Sequence, residues 1–151
     1  MEEQFLETWA IHDRINLYLL DAIPEEAFEA SLGKGRTVFK LFAHIHNVRL
    51  MWLQSAAPEL LEGLAKLEDS TGGKQAVRAA LEASGKAMAT LLRNGLASGR
   101  IKGFKPHPVA FLGYCISHES HHRGQIGWTL KLTDQPLPKT IQYGLWEWGK
   151  R

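Results

Sequence analysis

Residues 116–130 read ISHESHHRGQIGWTL, and the spacing within this stretch sets how the rest of the chain is read. On a helix, His118 and His122 stand one above the other at i and i+4, and Ile126 and Leu130 continue the same row. Upstream, Val109, Leu112, Cys115 and Ile116 keep the helical apolar rhythm. A solvent-exposed histidine-rich turn would have polar neighbours along that row. The apolar ones place the two imidazoles on the buried side of an amphipathic helix. Buried imidazoles need partners, and a divalent metal ion held by both is one. Two ligands on one helical face make half of such a site.

The third ligand is sought on another helix. Residues 37–56 form one, with Leu41, His44 or Ile45, Val48, and Met51 or Trp52 recurring at steps of three and four. His44 stands where that repeat accepts an apolar side chain. Alone it reads as a satisfied core histidine; beside His118 and His122 it reads as the third metal ligand. His46 lies about 200° round the helix from His44 and is expected at the surface or in support of the site. Three imidazoles leave a fourth position for water or substrate, the arrangement of a catalytic rather than a structural zinc site.

The remaining segments are also helical. A first helix over residues 3–23 carries Phe5, Trp9, Leu19, Leu20 and Ile23 on one stripe, with His12 and Asn16 on the same stripe. Those two either satisfy each other and the backbone, the commoner case, or line a pocket. Residues 58–67 make a short amphipathic piece, and 69–73, DSTGG, a turn. A third helix over 74–94 ends at Gly95; its inner side, including Ser84, shows no evident chemistry. Residues 95–108 form an irregular connection in which His107, between two prolines, is a turn residue. The helix bearing the histidine pair spans 108–132, and the chain closes on TIQYGLWEWGKR. Four long amphipathic helices with little strand signal predict an all-α four-helix bundle with short extra helical pieces, in one domain over residues 1–151.

Composition narrows the function classes. A chain of 151 residues that is 44% hydrophobic has enough apolar side chain for one full core. Its formal charge of +2 is spread among interspersed acids and bases, so a nucleic-acid partner is not expected. The single cysteine, Cys115, falls in an apolar helical pattern and reads as a buried structural thiol; with no disulfide framework, a reducing cytoplasm is expected. The start, MEEQF, lacks the order of a signal peptide, and no apolar run reaches membrane-spanning length, so no membrane partner is expected either.

LFAHIHNVRLMWL, followed some way downstream by HESHHRGQI, resembles the DinB/YfiT-like family of four-helix-bundle proteins with a three-histidine metal site. The resemblance extends over essentially the whole chain, the closing GLWEW included. It implies His44, His118 and His122 as metal ligands, with His121 and the Arg123-Gly124-Gln125 run in supporting roles. It further implies a small-molecule substrate and, as in some members, transfer of a low-molecular-weight thiol by an enzyme using a divalent metal. Zinc or nickel is expected first, although three imidazoles also suit copper or iron. No DNA chemistry follows from the family's name. A metal-dependent hydrolase and a non-catalytic, metal-stabilised binding protein are the alternatives.

His118-Glu119-Ser120-His121-His122 also satisfies HExxH, in which Glu119 would be the general base of a metalloprotease. The extended form of that motif needs Gly and His where Gln125 and Trp128 stand. Glu119 is therefore expected on the flank of the helix. No catalytic group is defined; Glu119, His121 and Arg123 are the candidates for supporting the ligands. Arg123 could anchor an anionic substrate, but a salt bridge on the helix surface is the expected role. Gly124 and Gly127, costly in mid-helix, mark a close helix approach or room beside the metal. Trp128 and Trp146 are candidates to border a pocket, and exposed aromatics in the tail favour a homodimer.

Overall fold

The computed structural model describes residues 1–151. Four long helices, α1 (Glu2–Ala22), α2 (Val38–Ala56), α3 (Gly73–Ser98) and α4 (Pro108–Leu132), are followed by a short α5 (Lys139–Gly144), with 3-10 turns at Glu25–Ala27, Pro58–Leu61 and Trp148–Lys150. The fold is all-α. No helix is long and apolar enough to cross a membrane.

Local chemistry sets the ends. Thr37 caps α2, its hydroxyl oxygen accepting from the Lys40 amide at 3.1 Å. His107 does the same for α4, with Nδ1 accepting from the Ala110 amide at 3.1 Å and Pro108 at the first helical position. The expected stop at Gly95 is displaced: α3 runs on to Ser98 and ends at Gly99, whose φ of 74° is the left-handed conformation glycine adopts without penalty. Gly95 is instead buried inside α3, where a Cβ would collide with Ile101. Ile101 and Phe104 form an isolated antiparallel bridge in the irregular connection that follows.

α1 and α2 each pack against both α3 and α4. The interior is divided into two apolar clusters. One is built on Leu19, Leu20, Phe42, Ile45, Leu81, Ile126 and Leu130. The other is built on Trp9, Leu50, Leu53, Met88, Phe111, Leu112 and Cys115. Each long helix passes from one cluster to the other through polar residues: His12 and Asn16 on α1, His46 and Arg49 on α2, Ser84 on α3, Glu119 and His122 on α4, all buried. A polar layer thus crosses the middle of the bundle. Since unpaired buried polar groups are costly, the layer must be internally satisfied, and that requirement specifies the register of all four helices.

Candidate metal centre

α2 contributes His44, and α4 contributes His118 and His122. One ring nitrogen from each lies within 4.8 Å of the other two. The Nε2 atoms of His118 and His122 are 3.1 Å apart, and the His44 ring centroid is 4.5 Å from that of His122 and 5.4 Å from that of His118. Two nitrogens on a tetrahedral zinc ion stand about 3.4 Å apart, so the His118–His122 pair is close to metal spacing and the set of three could hold an ion. The donor chemistry fits as well. His122 Nδ1 lies 2.8 Å from Gln125 Oε1; a carbonyl oxygen only accepts, so Nδ1 carries the proton and Nε2 keeps its lone pair toward the cluster. Burial holds all three imidazoles below their ordinary pKa, His44 to about 4, with Arg36 and the neighbouring rings acting in the same direction. Neutral imidazoles are what a metal binds. The Tyr114 ring lies nearly parallel to that of His118, 6.2 Å between centroids.

Replacing Gln125 by leucine is expected to lower zinc affinity by about 10- to 100-fold without unfolding the chain, because it frees the His122 ring and its tautomer. Competition titration against a chromogenic chelator measures this.

A cleft of about 410 Å³ is lined by Arg36, Leu41, Gln125, Trp128 and Thr129 among others; none of the three histidines lines it, and it meets the cluster through Gln125, which bonds His122. Arg36 is exposed at its rim.

The polar layer behind the histidines corrects several expectations. Glu119 is not on the helix flank but 2% exposed. Its carboxylate takes Arg49 Nε at 2.7 Å and Nη2 at 2.8 Å, His12 Nε2 at 2.7 Å and Asn16 Nδ2 at 2.7 Å. Burial alone would raise its pKa, but the Arg49 charge and these hydrogen bonds hold it well below the usual carboxylate range. Arg49 also pairs with Asp13 at 2.9 Å, donates to the Leu81 carbonyl and lies over the Trp9 ring. Burial lowers the His12 pKa more than Glu119 raises it. The neutral ring then donates from Nε2 to Glu119 and accepts at Nδ1 from Arg123 Nη1, 3.2 Å away. Asn16 completes the chain, its Oδ1 accepting from the same Arg123 nitrogen at 2.6 Å. His12 and Asn16 are therefore satisfied by two shared partners, Glu119 and Arg123, rather than by each other and the backbone as expected.

Arg123 is not a salt-bridging surface residue: it is half-buried, and its hydrogen bonds go to His12, Asn16 and Ser120, all neutral. Burial lowers its pKa to about 10. His46 is not at the surface but 1% exposed; Nε2 donates to the Ala65 carbonyl at 2.7 Å, and Nδ1 faces Ser84 Oγ at 3.0 Å. With Asn47, which exchanges two 3.0 Å bonds with the Leu67 backbone, it pins the α2–α3 connection to α2. Ser84, on the face of α3 expected to be inert, is thereby part of the layer. His121 is exposed and touches the cluster only through its ring beside His122. Gly124 and Gly127 neither admit a neighbouring helix nor border the histidines; a Cβ on either would meet nothing within 4 Å. Cys115 is buried and its thiol is pushed up by burial, as a structural cysteine should be. Of the five tryptophans only Trp9 lies in the core.

Sequence reasoning passed over Asp13 and Arg49. Arg49 did leave a signal, since it occupies the row Phe42, Ile45, Arg49, Leu53, where a cation among apolar core positions implies a buried partner.

These features define a helical bundle whose adjacent helices bring three imidazoles together in a set that could hold one metal ion. Comparison with models of known families places the chain more narrowly: residues 1–140 match the DinB family, and the chain belongs to it. No curated protein matches it.

Proposed function

We propose that His44, His118 and His122 hold one divalent metal ion and that the chain is a metal-dependent enzyme, a transferase using a low-molecular-weight thiol. The observation that carries the reading is the convergence of three imidazole nitrogens, with one ring held by Gln125, a residue that also lines a cleft large enough for a small substrate. A metal ion bound there would lower the pKa of a thiol and present its sulfur as a nucleophile at neutral pH.

A metal ion would ionise bound water as well as a thiol, so the two differ in what the protein adds. The proton transfers to a leaving group in hydrolysis call for a general acid–base, and the one carboxylate in the histidine motif, Glu119, is turned into the core and bonded to Arg49, His12 and Asn16. A thiol, with an ordinary pKa of about 8.5, needs far less help to ionise. The remaining roles follow from position. Gln125 orients the His122 ring; Arg36, at the rim of the cleft, suits an acidic group on the substrate; Trp128 offers an apolar wall.

The test is metal content per chain, followed by the spectrum of the cobalt-substituted protein with and without a small thiol. About one metal ion per chain and a sulfur-to-cobalt charge-transfer band on thiol addition are expected. Metal binding without any response to thiol would overturn the transferase reading in favour of a hydrolase or a structural metal; no metal binding would overturn the centre itself.

A further inference from the structure

A second recess lies on the other side of α4. Ser120, Gly124 and Gly127, on roughly the opposite side of the helix from His118 and His122, form the floor of a cleft of about 420 Å³, within the usual range for ligand pockets. The C-terminal segment from Pro136 to Trp148 forms its opposite wall. None of the three histidines lines it, nor does Gln125, which links the histidines to the cleft of about 410 Å³; the two recesses share only Trp128.

Its walls and its charge are both unusual. Trp128, Trp146 and Trp148 face it, and the first two are 56% and 81% exposed, aromatic surface left in contact with water. Arg123 and Lys131 are its charged residues, and no Asp or Glu lines it. Arg123 forms no ion pair, as its hydrogen bonds end on neutral groups, and the carboxylate acting on it, Glu119, is spent on Arg49 and His12. Lys131 also forms no ion pair; its Nζ sits 5.1 Å over the Trp128 ring. A half-buried guanidinium without an anion carries an uncompensated desolvation cost, which an acidic ligand would relieve. The glycines add to this. Glycine is a poor helix residue, and neither Gly124 nor Gly127 is required by a neighbouring atom; what their bare backbone preserves is the depth of the cleft.

We propose that this cleft is a second ligand site, separate from the three histidines, for a small organic anion with a flat aromatic body. Its acidic group lies between Arg123 and Lys131, and its ring system lies among the three tryptophans.

The test is titration of the full chain with anilinonaphthalene sulfonate, an aromatic anion, followed by dye emission and quenching of tryptophan. About one site per chain is expected. Gly127→Leu, which fills the floor and favours the helix, should weaken binding at least about tenfold. Lys131→Gln, at an exposed position where folding is not at risk, should weaken it about three- to tenfold and flatten its salt dependence. Neutral phenylnaphthylamine should not respond to Lys131→Gln, and zinc uptake should be intact in both variants. Dye binding unchanged by both substitutions would overturn the proposal. So would sedimentation showing a wild-type dimer that Gly127→Leu converts to monomer, because the cleft would then be a subunit contact.

Discussion

Replacing Glu119 by alanine is expected to cost about 3–5 kcal/mol of folding stability, a large share of what a chain of this size possesses. The loss comes less from the bonds removed than from what remains. Arg49, 1% exposed, would keep a full charge with Asp13 as its only anionic partner. His12 and Asn16 would each lose a bond to the carboxylate deep in the bundle. Urea denaturation should show a lower midpoint with an unchanged slope. The paired change Arg49→Met with Glu119→Leu should cost clearly less than the sum of the single changes, since it removes an ion pair together and leaves only Asp13, the less buried carboxylate, without its cation. The same experiment separates two roles for this residue. A metalloprotease base could be changed to glutamine with activity lost and stability kept, whereas here Glu119→Gln should lower stability, because it takes the negative charge away from Arg49. Whatever variant protein folds should still take up metal, because Glu119 is not among the three histidines in which the metal is proposed to sit.

The second large effect concerns His118. His118→Ala should lower zinc affinity by more than about 100-fold, beyond the range seen when a residue supporting a metal ligand is removed. The apo protein should lose far less stability than with Glu119→Ala, as the His118 ring is only partly buried and lies outside the buried ion-pair network. Thermal denaturation with and without zinc reads both quantities together. At a free zinc concentration about 100 times its dissociation constant, the wild type should gain about 2.7 kcal/mol, or roughly 5–10 °C in midpoint, and the variant almost nothing. Equal zinc shifts in both proteins would place the ion elsewhere.

The helices and the histidine cluster were legible in different ways. All four long helices could be placed from apolar periodicity and end signals, because burying one face of each is the main driving force for folding and leaves a regular trace in the sequence. The i, i+4 pair His118 and His122 could be placed on one face for the same reason, and His44 was legible as a histidine in an apolar row. Periodicity reports which side of a helix is buried but not how many sides are. α2 is flanked by both α3 and α4, so the side carrying His46, turned away from His44, is buried too. For the same reason Glu119, one step round from His118, enters the core instead of lying on a flank.

Taken alone, then, the sequence determined an all-helical bundle, the DinB resemblance and the three imidazoles worth bringing together, since these depend on spacing along single helices and on motifs contiguous in the chain. Only the tertiary structure decided the partners. Glu119 is bonded to residues more than 65 positions away, Arg49 on α2 and His12 and Asn16 on α1. Arg123 is left with neutral partners, and glycines with no packing role line a cleft behind the histidines. Such pairings depend on which helix faces which and at what height, a choice made by the joint packing of four helices and encoded in no one of them.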